Sequence, residues 1–306
     1  MNVGRRGADG PAYAGVAGAW TRDTGRSVLR WCREAFRRDP LTAAAGLFLV
    51  LLVAIALVGP ALPIMSGDTV GAGVPLSPPS WHWPLGTDTL GRSMVPRLVT
   101  GIRVTFLISV IAVTIAASIA TAVGACAGYF GGWVDQVLAR VADIGLTFPA
   151  ILLALLIVSV NGPGTFGAVL AIVVIIVPPM FRVIRVRAAE IRGREFIRAL
   201  KVGGAGPVRM VGMHVVPNVL GTAAVQTSWA IVVGMLIESG LSFLGLGVVP
   251  PTASLGSLVH DGNPYLVVAP WLVFEPAAAL ALAIFAVNVL GDWARDALDV
   301  KGTAIR

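Results

Sequence analysis

IRGREFIRALKVGGAGPVRMVGMHVVPN, residues Ile191 to Asn218, is a basic island punctuated by glycines. Apolar sequence bounds it on both sides: Ile144 to Phe181 carries no charge, and neither does the stretch from Met210 to Ile237. Runs of that length exceed the ~20 residues that a helix needs to cross a ~30 Å hydrocarbon core. The island is therefore read as a loop between two spans, and its first part suits a short helix. Phe196, Ile197 and Leu200 fall on an apolar side, and Arg194, Arg198 and Lys201 on a basic one. Gly203, Gly204, Gly206 and Pro207 end that helix. Two readings stand from the residues alone: an ordinary basic loop on the inner side of a membrane, or a helix displayed for docking in a groove of another protein.

Working outward, Leu41 to Leu62 is uncharged and predicts a first membrane helix. A loop with Trp81, His82, Trp83 and the string PLGTDTLGR (Pro84 to Arg92) follows, and Val104 to Trp133 gives a second helix. Asp135, Arg140 and Asp143 mark a polar excursion. The run from Ile144 to Phe181 is too long for one crossing, and Asn161-Gly162-Pro163-Gly164 splits it into a third and a fourth helix. Pro217 and Asn218 interrupt the next run, so the fifth helix is expected to start near Val219. Gly240 to Ala269 is apolar but broken by glycine and proline, which predicts a folded, partly re-entrant loop. The sixth helix spans about Leu272 to Leu290, bracketed by Trp271 and Trp293 as interfacial anchors.

Six helices put both termini on one side. The basic residues choose it: the N-terminal tail holds eight, the loop after the second helix one, the loop after the fourth eight and the C-terminal tail three, against Arg92, Arg97 and Arg103 opposite. Both termini are accordingly expected in the cytoplasm. The organisation expected is a cytoplasmic Arg-rich tail (1–40), a first helix with its outer loop (41–103), a helical core (104–291) containing the short basic helix at about 192–206, and a cytoplasmic C-terminal tail (292–306). The polar N-terminal segment does not read as a cleaved signal peptide.

Composition agrees with an all-α membrane protein. Of 306 residues 56% are hydrophobic and 13% charged, and the mean hydropathy is +0.84. A soluble domain usually carries about a quarter charged residues, so the net charge of +7 is read as membrane topology before nucleic-acid binding. Cys32 and Cys126 lie in unlike environments and suggest neither a disulfide nor a metal site.

The island's pattern R-E-F-x-x-A-x-x-x-G-G-A followed by H-x-x-P-N resembles the coupling-helix motif of ABC-importer permeases, with Ala199, Gly204, His214, Pro217 and Asn218 at matching positions. Arg198 stands where that family usually has Glu, and Leu200 where it has a second Ala. PLGTDTLGR, AGYFGGWVDQVLAR (Ala127 to Arg140), LSFLGLGVVPP (Leu241 to Pro251) and NVLGDWARDALD (Asn288 to Asp299) resemble the C-type permease subunit of dipeptide and oligopeptide importers, in order over about residues 35 to 300. The resemblance implies a type I ABC-importer permease fold in a bacterial inner membrane. It implies as partners a homologous second permease, two cytoplasmic ATPase subunits and an extracytoplasmic solute-binding protein. Arg194, Glu195, Phe196, Arg198, Ala199, Leu200, Gly204, His214 and Pro217 would then form the ATPase-coupling segment. No G-x-x-x-x-G-K-[ST] string occurs, so ATP and Mg are expected in the partner ATPases and no cofactor or metal in this chain.

A secondary transporter or channel working alone is the alternative, and it would want ionisable groups buried mid-membrane. Glu238 and Glu275 are the residues that qualify. Glu238, Ser239, Ser242 and Asn288 are the candidates for a translocation pathway. Glu238 has a second reading, an ion pair with an arginine of the partner permease or with Arg92 or Arg97. An intramembrane hydrolase is not supported, because His214 and His260 are expected on opposite sides of the membrane and build no triad with Ser239 or Ser242.

Overall fold

Apolar runs become helices in a membrane because no water is present to bond a bare backbone, so each N–H and C=O must be satisfied within its own segment. A computed structural model describes residues 40–58 and 69–303. The Arg-rich tail before Pro40, with Cys32, and the end of the first apolar run lie outside the described residues. The chain divides into two compact units, residues 1–44 and 45–306. Only the opening turn of α1 (Pro40–Val58) is described in the first; everything below concerns the second.

The remaining helices are α2 (Met94–Phe130), α3 (Gly132–Thr147), α4 (Ala150–Asn161), α5 (Thr165–Arg192), α6 (Glu195–Val202), α7 (Pro207–Met210), α8 (Val216–Phe243), α9 (Leu255–Gly262) and α10 (Trp271–Thr303). Among the described residues four helical stretches are long and apolar enough to cross a bilayer: α2, α5, α7 with α8, and Trp271–Trp293 of α10. Counted as one span, the bent pair α3 and α4 makes a fifth.

The core is a three-helix contact of α2, α5 and α8. On α2, Ala112, Ala116, Ala120, Gly124 and Gly128 recur every fourth residue and are all buried. Small side chains in that register let a neighbouring backbone approach closely, the packing mode that works where lipid supplies no hydrophobic drive between helices. A Cβ on Gly128 would overlap the Arg185 carbonyl oxygen and lie 2.7 Å from Ala188 Cβ; one on Gly124 would meet Ile184 Cγ2 at 3.0 Å. Opposite this seam, Ile172, Ile176 and Ile184 of α5 are fully buried. A second cluster gathers Leu52 of α1, Ile102, Met235, Leu255 and Ala283.

Several boundaries differ from the sequence expectation. The second helix begins at Met94 rather than Val104, so Arg97 and Arg103 are helical; Arg97 is tolerated because Asp88 and Asp261 reach it at 3.4 Å. The expected third helix is instead a pair, α3 and α4, bent by 95° between Thr147 and Ala150. Pro149 follows Phe148, which takes an extended backbone (φ −85°, ψ 134°), as a residue before proline prefers. The polar excursion is itself amphipathic helix: α3 turns Asp135 and Asp143 toward Arg185 and Arg182 of α5 while Trp133, Val137, Val141 and Ile144 stay exposed.

Pro217 does not delay the fifth helix to Val219. A π turn at Val211–Val215 precedes it and absorbs the bond that proline cannot donate, so the span runs from Pro207 to Phe243. The last helix continues past Asp292 to Thr303; the side chains of Asp296 and Asp299 lie outside the described residues.

Gly240 to Ala269 folds into a turn and the short helix α9, opened by a reciprocal Ser254–Ser257 capping box. The Leu255 N–H donates to Thr105 Oγ1 at 3.1 Å and ties α9 to α2. At the same end Asp88 organises the PLGTDTLGR loop, accepting from the N–H groups of Leu90 and Arg92 at 2.9 Å and from Arg92 Nε at 2.6 Å. That motif is thus a scaffold for the loop.

Candidate functional site

The island quoted above forms helix α6 between two long spans. Arg194 is its extended N-cap; Glu195 sits in the first turn and Lys201 in the last, the placement that the helix dipole favours. Ile197 is fully buried in the main core and Leu200 packs partly against it, so these two root the helix. Phe196 leaves the expected apolar side and is 40% exposed. The reason is angular: 196 stands about 100° from 197 on a helix, and only one of the two can face the core.

Arg194, Glu195, Arg198, Ala199 and Lys201 are exposed. Lys201 Nζ lies 5.2 Å from the centre of the Tyr129 ring, a cation–π contact that links α6 to the end of α2. Val202 and Val208 project outward at 91% and 82% exposure.

The end of α6 is a Schellman motif. Gly204 has φ +79°, its N–H donates to Lys201 O at 3.1 Å, and the Ala205 N–H donates to Leu200 O at 3.1 Å. Gly203 is ordinary, with φ −72°. Gly206 and Pro207 do not stop α6; they begin α7, with Pro207 in its first turn. His214 lies in the π turn, and its carbonyl accepts from Asn218 Nδ2 at 2.7 Å. His214 and Pro217 are thus built into the base of the following span, below α6 in sequence but not on it.

The pathway candidates separate. Glu238 is fully buried, Ser239 and Ser242 nearly so, and Asn288 is exposed on α10. Glu238 does not pair with Arg92 or Arg97. It accepts from Ser242 Oγ at 2.7 Å and more weakly from Ser239 Oγ at 3.3 Å, while Ser242 Oγ also accepts from the Val248 N–H at 3.2 Å. A buried carboxyl is costly unless hydrogen-bonded, and here the donors belong to its own helix turn. This cluster pins the loop after α8. Removing the carboxyl with Glu238→Ala is expected to lower stability by about 2–4 kcal/mol, with Glu238→Gln milder; thermal unfolding of the purified protein in detergent measures it, and an unchanged midpoint for the Ala variant would remove Glu238 from that role.

Sequence reasoning missed a groove between α2 and α8 of about 530 Å³, bordered by Thr114, Ser118 and Thr121 on one side and Ala223, Ala224 and Thr227 on the other. Three of its hydroxyls bond to carbonyls of their own helices: Thr114 to Val110, Ser118 to Thr114 and Thr227 to Ala223, at 2.7 to 2.8 Å. The groove has no charged residue in its lining. The signal in the sequence was the hydroxyl spacing of four and three along an otherwise aliphatic helix.

Comparison with known proteins matches residues 120–301 to the family described as binding-protein-dependent transport system inner membrane component. The chain is 34% identical over 279 residues to the dipeptide transport system permease protein DppC of Alkalihalophilus pseudofirmus, covering 90% of this chain and 91% of that one. It is 34% identical to the oligopeptide transport system permease protein OppC of Mycobacterium bovis, covering 90% and 94%. A solved structure of the MetNI methionine ABC transporter in inward-facing conformations superposes with a TM-score of 0.55 at 17% identity, over 67% of this chain and 97% of that one. The last likeness is one of fold.

Proposed function

This chain belongs to the binding-protein-dependent transport system inner membrane components, and from that premise we propose that it is one permease subunit of an ATP-driven importer of di- or oligopeptides. The observation that carries the coupling role is α6: a short basic helix, rooted by Ile197 and ended by Gly204, that presents Phe196, Val202 and Arg198 outward. Such a helix fits a groove on a cytoplasmic ATPase. Arg198 supplies a cation there, so the facing groove carries acid.

The motor and the nucleotide chemistry belong to partners, a reading that the lack of a G-x-x-x-x-G-K-[ST] string in the sequence supports; ATP and Mg are bound by the ATPases. The groove between α2 and α8 forms this subunit's share of the pathway, and a homologous permease covers it from the other side. Motion of the docked α6 passes through the π turn at Val211–Val215 into α8, one wall of that groove. Rigid-body rocking of the two halves then exposes the groove alternately to each side.

Co-expression with a second permease, two ATPases and a solute-binding protein tests the reading. Peptide uptake into liposomes is expected to require ATP, and loaded binding protein is expected to stimulate hydrolysis. Uptake by this chain alone would overturn the assignment in favour of a standalone transporter.

Six crossings with both termini inside is the topology we propose, with α1 as the first and α3–α4 as the bent third. In a background lacking cysteine, Val267→Cys is expected to label with an impermeant thiol reagent in intact cells and Val202→Cys only after permeabilisation. Both positions are more than nine-tenths exposed in the lone chain, so the labelling is done without the ATPases that would cover Val202. The reverse pattern would invert the orientation.

A further inference from the structure

The side of α2 that borders the groove continues to Arg103. At 100° per residue, Arg103, Thr114 and Thr121 project within about 20° of one another, and Ser118 about 60° away. Ile111, Ile115 and Ile119, each at least 41% exposed, occupy the adjoining sector. The exposed side of α2 is therefore split lengthwise into an aliphatic strip and a hydroxyl strip, and the hydroxyl strip ends in a guanidinium.

Arg103 stands at the boundary of the uncharged stretch Val104 to Trp133, about 16 Å along the helix from Thr114. Its side chain is half-buried and, among the described residues, makes no ion pair or hydrogen bond. Arg97, two turns away, is engaged by Asp88 and Asp261. A cation on a spanning helix is costly and persists where it meets a counter-charge, a polar cavity or a ligand. The groove below offers no acid to compete for it.

We propose that Arg103 is the anion-recognising residue of this translocation face, and that it takes the terminal carboxylate of a peptide before the chain passes the neutral hydroxyl strip. Guanidinium and carboxylate match as a two-pronged pair, whereas neutral hydroxyls serve the remaining backbone whatever side chains it bears. One end of the substrate is thereby read by charge, and the rest is left unread. This rests on the groove being the pathway.

The test uses the complete importer in liposomes, with dialanine and its C-terminal amide each supplied at a concentration that saturates the binding protein. Arg103→Gln is expected to lower the ratio of dialanine to amide uptake about tenfold, and Arg103→Lys to lower it less. An unchanged ratio, whether both peptides slow together or neither does, would overturn the proposal. So would failure of the Gln variant to co-purify with the second permease, which would make Arg103 a subunit contact. Thr114→Trp, which fills the groove, separates the two levels of the argument. If it leaves uptake intact, the pathway reading fails and Arg103 with it; if it blocks uptake while the Gln variant keeps its ratio, Arg103 alone is wrong.

Discussion

Gly204→Val is expected to leave an assembled permease pair that transports at a tenth of the wild-type rate or less, with hydrolysis no longer stimulated by loaded binding protein. Gly204 holds φ +79° with no neighbouring atom within 4 Å of where a Cβ would stand, so the penalty is purely one of backbone conformation. For L residues that region costs roughly 1–2 kcal/mol, and a β-branched side chain is among the least tolerant. Relief requires giving up the Leu200 and Lys201 carbonyl bonds that close the Schellman motif. The helix then overruns or reorients, taking Val202 and Lys201 with it. Packing of α2, α5 and α8 lies elsewhere and survives.

Gly203→Ala is the control, because at φ −72° its nearest Cβ neighbours would be carbonyl oxygens at 3.5 and 3.6 Å, ordinary contacts. ATP-driven peptide uptake and stimulated hydrolysis are the measurements. Wild-type values for Gly204→Val would withdraw α6 from the coupling role.

How much of this was legible beforehand depends on what each feature needs. The spans, the turn at Asn161–Gly164 and the stop of α6 at Gly204 follow from local chemistry, since charge, proline and glycine act within a few residues of themselves. The bend at Phe148–Pro149 is absent from the sequence reading, because the apolar composition of Ile144 onward masks it: lipid and a kinked helix want the same residues. Pro217 misled for the opposite reason: a π turn that ends two residues earlier is a backbone adjustment with no side-chain signature.

Phe196 departs from the apolar side expected of it, since an eight-residue helix has two possible core-facing edges and only the packing of Ile197 chooses. The reading that pairs Glu238 with Arg92 or Arg97 rests on charge, which acts at long range, while the Ser242 hydroxyl one turn away satisfies the carboxyl at short range. Tertiary closeness is what sequence patterns understate. The Ala112, Ala116, Ala120, Gly124, Gly128 ladder reads as filler in a lipid-soluble segment, yet it fixes the most extensive helix contact among the described residues.

That ladder carries the second large expectation. Gly128→Ala is expected to lower the thermal midpoint of the purified protein by several degrees and to cut its accumulation in the membrane, and Gly128→Val to abolish accumulation. The Gly128 Cα faces backbone: a methyl there overlaps the Arg185 carbonyl oxygen, approaches the Ala189 nitrogen to 2.9 Å and meets Ala188 Cβ at 2.7 Å. None of these atoms can rotate away, so α2 and α5 must separate. Overpacking of this kind costs typically about 1–3 kcal/mol, and separation here also disturbs Arg185, whose Nη2 donates to Asp135 Oδ2 at 2.7 Å. A Cβ at Gly124 would meet Ile184 Cγ2 at 3.0 Å, Ile184 Cβ at 3.1 Å and the Arg185 nitrogen at 3.2 Å, each short by a few tenths of an ångström rather than overlapping, so the effect of Gly124→Ala is expected to be smaller. Gly212→Ala, with nothing within 4 Å, is expected to behave as wild type. The order Gly128, then Gly124, then Gly212 is a signature of backbone contact between α2 and α5, because a general intolerance of alanine in spanning helices would shift all three alike. A Gly128→Ala protein as stable as wild type would mean that the two helices do not meet at this seam.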